Sequence, residues 1–203
     1  MMAKNVGILA SMSWNSNDWA GQATEEDILK SNFDYVKENG WIHEDLNFGF
    51  ETYPLDEKGK FIAYTPQFNN LPSTEMSKDV AIIFLKSYNY KNGKNYIVGC
   101  YAYPEIGNFL RNSDEPLYKM YDFGNIRSTP ENIIKFNSGI VINDEICAVN
   151  GYLPKGKKVG KQGFNYLEYN NVLKILDRAV IQSPGKKLDT IRFKMLKDGG
   201  LKY

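Results

Sequence analysis

Apolar positions along the chain form short runs separated by polar stretches, with two longer stripes at helical spacing. Val6-Gly7-Ile8-Leu9-Ala10 is an apolar run of strand length. A polar loop from Ser11 to Gln22 follows. Thr24 then precedes three acids, the signature of a helix start with an N-cap and a first turn suited to the helix dipole. Leu29, Phe33 and Val36 recur on one helical face, and Asn39-Gly40 is a stop, so the pattern predicts one helix over 24–39. A short strand is expected at Phe61-Ile62-Ala63-Tyr64. Val80 to Leu85 is continuously apolar, Asn92-Gly93 signals a hairpin, and Tyr96 to Tyr103 returns, closed by Pro104. Neither strand shows a polar face, so both are expected to be central. Phe109 to Pro130 reads as a polar connection. Ile133 to Phe136 and Ile140 to Ile142 read as two strands around Asn137-Ser138-Gly139, and Ile146 to Leu153 as a further strand. Lys155 to Gly163 is a Gly/Lys loop. Val172, Leu173, Leu176, Ala179 and Val180 make a helical stripe that ends before Ser183-Pro184-Gly185. Ile191, Phe193 and Met195 alternate with Arg192 and Lys194, so the tail is expected to be a strand. Strands interleaved with few helices point to an α+β fold.

The length, 203 residues, suits one domain. Hydrophobic residues at 42% and charged residues at 24% are a globular composition. No apolar run approaches the roughly 20 residues of a membrane helix, and the first residues lack a signal-peptide core. Cys100 and Cys147 sit in apolar runs, where reduced, buried thiols are expected, in agreement with a cytoplasmic setting. The sequence stops without a helix or strand ending, which suits a piece of a longer protein.

Catalytic chemistry is poorly supplied. The one histidine, His43, would have to sit beside a nucleophile to make a hydrolytic site. No CxxC or HxxxH spacing provides a zinc site, and no metal or cofactor is expected. Gly151 to Lys158 matches GxxxxGK, but Lys158 stands where magnesium coordination needs Ser or Thr, and no helix pattern starts at once. Acids such as Glu44 and Asp45 are adjacent in sequence, which does not make a catalytic pair. The chain is therefore read as a binding module, with a carboxylate-based enzyme as a rival.

Net charge is +1, yet lysines cluster late: Lys155, Lys157, Lys158 and Lys161, then more toward the C-terminus. Such a basic half can track a phosphate backbone, with these four as phosphate contacts, or can be solvated surface. Aromatics make 14% of the residues, and all three tryptophans, Trp14, Trp19 and Trp41, lie in the first fifth in polar surroundings. With Ser13, Asn15 and Asn17 beside them, flat faces and amide or hydroxyl groups combine as a planar hydrogen-bonding ligand requires. Each tryptophan can equally be a core residue.

The order of these features resembles the PUA-like superfamily, specifically its YTH and EVE branches. The resemblance lies in Ile8-Leu9-Ala10-Ser11, the Asn15/Asn17 loop, the 24–39 helix, Gly40-Trp41 and Leu46-Asn47-Phe48-Gly49-Phe50. It continues through Val80 to Ser87, Asn92-Gly93-Lys94 and Tyr96 to Ala102, about the first half of the chain. It implies a PUA-like small curved sheet or barrel with flanking helices over residues 1–203, and a reader of a modified, methylated base such as those of McrB-like modification-dependent restriction proteins. The implied partner is nucleic acid, DNA favoured over RNA, with a motor or nuclease on another domain or subunit. By the resemblance Trp41 is a cage wall, the Ser13–Asn17 loop meets the base edge, and a carbonyl near Ile42 accepts from the exocyclic amine. Base flipping would deliver the base. Tyr121, Phe123, Phe136 and Tyr152 are all candidates for the second cage aromatic. An adaptor for another ligand on the same fold remains a second reading.

Overall fold

The computed structural model describes residues 6–68, 79–111, 114, 116, 120–160 and 163–199. They form an α+β arrangement with two open sheets. The larger sheet contains β1 (Gly7–Met12), β3 (Ile82–Asn89), β4 (Lys94–Ala102), β7 (Ile133–Ile142) and β8 (Phe164–Leu167), in the order β7-β4-β3-β1-β8. β1 runs parallel to β3; the other neighbours are antiparallel. The smaller sheet, order β2-β6-β5, contains β2 (Phe61–Ala63), β5 (Glu105–Leu110) and β6 (Phe123–Ser128).

The central strands lack a polar face because the larger sheet is covered on both sides. Leu9, Ile82, Phe84 and Cys100 join one core cluster. Ile8, Ala10, Ile83, Leu85 and Tyr101 join another, with the smaller sheet and the loops after β1. On the first side lie α3 (Asp144–Asn150), α4 (Tyr169–Gln182) and α5 (Lys186–Asp198), which supply Cys147, Val172, Ile175, Ile191 and Met195 to the same cluster. No helix among the described residues is long and apolar enough to cross a membrane.

Several sequence expectations are corrected. The 24–39 helix is two short ones, α1 (Glu25–Leu29) and α2 (Asp34–Asn39). Thr24 does cap the first, in a reciprocal box with Asp27, and Gly40 ends the second in the left-handed region at φ 74°. Between them Phe33 N–H bonds the Ser31 hydroxyl instead of continuing the helix, which leaves Leu29 71% exposed. The expected strand at Ile146 to Leu153 begins as helix α3, because the Asn143 side chain accepts from Ile146 N–H as an N-cap. The expected C-terminal strand is α5: Leu188, Ile191 and Met195 recur at helical spacing and are buried, whereas Phe193 is 65% exposed. The polar connection after Phe109 contains β6, and Glu105 to Leu110 forms β5. The two strands around Asn137-Ser138-Gly139 are the ends of one strand, β7.

That last strand positions the site. Against β4, Ile97 pairs with Ile140 but Gly99 pairs with Lys135, so four residues of β7 oppose Val98 alone. Against β3, Leu85 pairs with Gly99 and Lys86 with Ile97, so Val98 is an extra residue there too. A bulge on both sides of one residue bends the strands and pushes 136–139 outward. Gly99 is required at this bend, because a Cβ there would lie 2.4 Å from the Ile134 carbonyl oxygen.

Candidate nucleic-acid interface

The loop after β1 and the bulge of β7 face each other across a cleft of about 180 Å³. Trp14, Trp19 and Tyr96 supply aromatic walls and Val98 an apolar one; Phe136 also lines the cleft, with its side chain buried in the helix-covered core. Trp14 and Trp19 meet edge to face, with ring centroids 5.4 Å apart, and Trp14 lies 6.4 Å from Tyr96. Trp19 is the fixed member: it is buried, its indole N–H donates to the Ser13 carbonyl at 2.9 Å, and it packs on Phe48. Trp14 is half-buried, and its indole N–H reaches the Ser16 hydroxyl at 3.3 Å. At the mouth, Lys135 Nζ and Asp18 Oδ1 are 2.6 Å apart. The space falls below the roughly 300–1,000 Å³ of drug-sized pockets and suits one planar ring system.

The loop is held by buried carboxylates of α1 and of the segment after α2. Glu44 accepts from Ser13 N–H at 3.1 Å and from the Tyr35 hydroxyl. Asp45 accepts from the Asn15 amide at 2.7 Å, from Ala23 N–H and from the Tyr121 hydroxyl at 2.9 Å. Asp27 accepts from the Ser16 N–H and hydroxyl. Burial pushes the Glu44 carboxyl up to about 7 and that of Asp45 up to about 6, against the hydrogen bonds they accept. These acids serve as buried anchors within the hydrogen-bond network.

The structure thus places the polar candidates within the loop. Ser13 and Asn15 are buried, and their N–H and amide groups meet Glu44 and Asp45. Asn17 is exposed; its amide donates to the Gln22 carbonyl and its N–H to Asn15 Oδ1. Ile42 is fully buried against Phe33 and Val36, and its carbonyl accepts from Asp45 N–H.

Trp41 belongs to a different aromatic group from Trp14 and Trp19. Its ring lies 5.5 Å from Tyr121 and 4.8 Å from His43. His43 in turn lies 4.0 Å from Tyr64 and 4.6 Å from Phe123. His43 is buried, and that burial holds its imidazole down near 4, so the ring is neutral at pH 7. Of the four candidate second aromatics, Tyr121 touches Trp41, Phe123 touches His43, and Phe136 and Tyr152 are both buried in the helix-covered core, Phe136 where it borders the cleft.

Lys155, Lys157 and Lys158 are exposed on the loop after α3, and Lys161 lies outside the described residues. The loop is pinned by Val159 N–H to Asp144 and leads from a helix into β8, the reverse of the strand-to-helix order of a phosphate loop. Under it lies Lys86, buried in β3, which donates to the Gly160 carbonyl at 3.0 Å and is held down near 8 by burial. Cys100 and Cys147 are free, buried thiols pushed up to about 12 and about 11 by burial, and Cys147 sits on a helix. Among the described residues no group of three or more His, Cys, Asp or Glu is placed to hold a metal ion.

A larger cavity, about 540 Å³, lies over the smaller sheet between Pro54–Lys58 and Asn108–Arg111. Its Arg127 is bound to Asp56 and Glu105 and stacked 4.2 Å from the Phe109 ring centroid, and Arg111 donates to the Ile62 and Tyr121 carbonyls. These guanidinium groups bind neighbouring strands and turns together.

Sequence reasoning missed Tyr96, Val98, Lys135 and Asp18 as cleft residues. Asp18 lies in the Trp14–Trp19 loop that composition singled out, and the polar Asn137-Ser138-Gly139 interruption marks the bulge beside Lys135. No protein-family model, curated protein or solved structure matches the chain.

Proposed function

We propose that this chain is a nucleic-acid-binding module that holds one flipped, modified base in the Trp14–Phe136 cleft. The observation that carries this reading is a space of about 180 Å³ walled by Trp14, Trp19 and Tyr96, with Lys135, paired to Asp18, at its mouth. Flat faces suit a base, since stacking on an aromatic contributes about 1–3 kcal/mol, and a methyl group adds apolar surface that such walls favour. The cation suits the phosphate that accompanies any flipped nucleotide. The role as specificity domain for a restriction nuclease or motor carried elsewhere is taken over from the PUA-like resemblance of the sequence.

Trp14→Ala is the direct test, because this ring is half-buried and faces the cleft. Binding would be measured with duplexes carrying one N6-methyladenine or one 5-methylcytosine and with plain duplex. The substitution is expected to weaken binding to the preferred modified strand by about 1–3 kcal/mol and to plain duplex much less. An equal loss on all strands would remove the cleft from base recognition.

A further inference from the structure

We infer that the mouth of the cleft is a phosphate subsite, in which Lys135 is the cation and Asp18 an internal anion that a nucleic-acid phosphodiester displaces. This rests on the base-holding reading above. Lys135 and Asp18 both line the cleft, from opposite sides. Lys135 stands on β7 immediately before the bulge, and Asp18 stands in the loop between the two tryptophans. Their side chains are 30% and 67% exposed, and they form an ion pair at 2.6 Å. A nucleotide whose base fills the cleft carries its phosphodiester one sugar away, which brings the charged oxygens to this mouth. Carboxylate and phosphodiester then compete for the same ammonium donors.

The exchange is cheap for two reasons. An ion pair this exposed contributes little to stability, since water and salt already screen it. The released carboxylate is also already largely in solvent, so no buried charge is left behind. Asn137, exposed on the bulge two residues after Lys135, also lines the cleft and offers an amide donor beside it. The loop side is held in an unusual backbone: Asp18 and Trp19 both sit in the left-handed region, at φ 61° and 54°. Asp tolerates that region and Trp does so rarely, so the packing of the Trp19 ring sets where Asp18 stands. The subsite is thus occupied by the protein's own anion until nucleic acid arrives.

The experiment compares Asp18→Asn, Lys135→Met and the double variant in the full chain. Binding is measured to modified and plain duplexes from 50 to 200 mM salt. Lys135→Met should weaken binding to both and lower the slope of log affinity against log salt by about 0.9, one phosphate contact. Asp18→Asn should tighten binding to both about two- to fivefold at low salt, the worth of an exposed ion pair that no longer has to be broken. In the Lys135→Met background Asp18→Asn should do nothing. Unchanged or weaker binding by Asp18→Asn, or an equal effect with Lys135 removed, overturns the subsite. Equal wild-type affinity for modified and plain duplex instead overturns base reading, while the Asp18 effect can still be read on both strands. A chain that binds neither duplex overturns both.

Discussion

Trp14 and Trp41 begin from similar sequence positions, and the fold treats them in opposite ways. Each follows the end of an element, Trp14 after β1 and Trp41 after the Gly40 cap, and each is half-buried. Trp14 packs on Trp19 and Tyr96, and the group borders the cleft that Val98, Lys135 and Asn137 also line. Trp41 instead packs on Tyr121 and His43, which continue into Tyr64 and Phe123. Rings contact one another in both groups, and it is the first that borders the cleft. Aromatic density therefore does not separate a site from a wall. At the first group the β7 bulge brings Lys135, Asn137 and Gly139 to the cleft opposite the loop. The closed group is also tied to the fold through Asp45, which bonds Tyr121 on one side and Asn15 on the other.

The largest expected effect concerns the neighbouring anchor of the Trp14 loop, Glu44, which accepts from Ser13 N–H. Glu44 is fully buried, and its carboxyl is raised from the ordinary 4.5 to about 7. A carboxyl raised in the folded state gives stability that is present below its unfolded value and is lost as pH rises through the folded one. Wild-type protein should therefore lose stability from this group between pH 4.5 and 7. His43 has the opposite sign: its depressed imidazole gives stability that is lost as pH falls from 6.5 toward 4, which partly flattens the wild-type curve. Glu44→Gln removes only the first effect and keeps an acceptor for Ser13 N–H. Its stability advantage over wild type should grow from pH 4.5 to 7 and then level, reaching at most about 3 kcal/mol. Thermal melts of both proteins across that range measure it; a pH-independent difference would show that the Glu44 carboxyl titrates in the folded protein as it does in the unfolded chain.

How much of this was legible in the sequence depends on the range of the interaction. The hairpin at Asn92-Gly93, the Thr24 cap and the Gly40 stop are local chemistry, and they stand where the pattern put them. The α+β class followed from counting such elements. The tail failed because Ile191, Phe193 and Met195 satisfy period two while Leu188, Ile191 and Met195 satisfy the helical period; packing of α5 on α4 selects the second. The cleft was half legible. The Trp14/Trp19 loop stood out by composition, but the rest of the lining comes from distant strands, Tyr96 and Val98 on β4 and Lys135 to Gly139 on β7, joined by a bulge whose register no local pattern encodes. Lys86 was hidden for the converse reason: it ends an apolar run as though it were a surface residue, and the loop carrying Gly160 covers it.

A middle-sized effect contrasts the two tryptophans directly. Trp41→Ala removes a half-buried ring from the closed group, so it should cost about 2 kcal/mol of stability, roughly half the loss from a fully buried large aromatic. It should leave the ratio of modified to plain affinity unchanged, whereas Trp14→Ala should lower that ratio with a smaller stability loss. Denaturant titration and duplex binding on the two single variants measure both quantities. If Trp41→Ala abolishes discrimination and Trp14→Ala does not, the base sits in the Trp41 group, and the wall described above opens on binding.

The smallest expected effect concerns charge far from any ring. Lys155, Lys157 and Lys158 are exposed on a loop whose backbone is fixed by Asp144 and by the Lys157 N–H to Pro154 carbonyl bond, so the three ammonium groups project from a stable base. They touch neither tryptophan neighbourhood. If they meet phosphates, they do so without reading a base, because an ammonium on a phosphate carries no sequence information. Replacing all three by Gln should then weaken modified and plain duplexes by the same factor. The salt slope should fall by about 0.9 for each lysine that makes a contact. Stability should stay within about 0.5 kcal/mol, as expected for surface positions. The pairing with Lys135→Met is informative, because that residue stands at the cleft mouth and these do not. A slope that falls for Lys135→Met and not for the triple variant would confine the phosphate path to the cleft and leave the Gly/Lys loop as solvated surface.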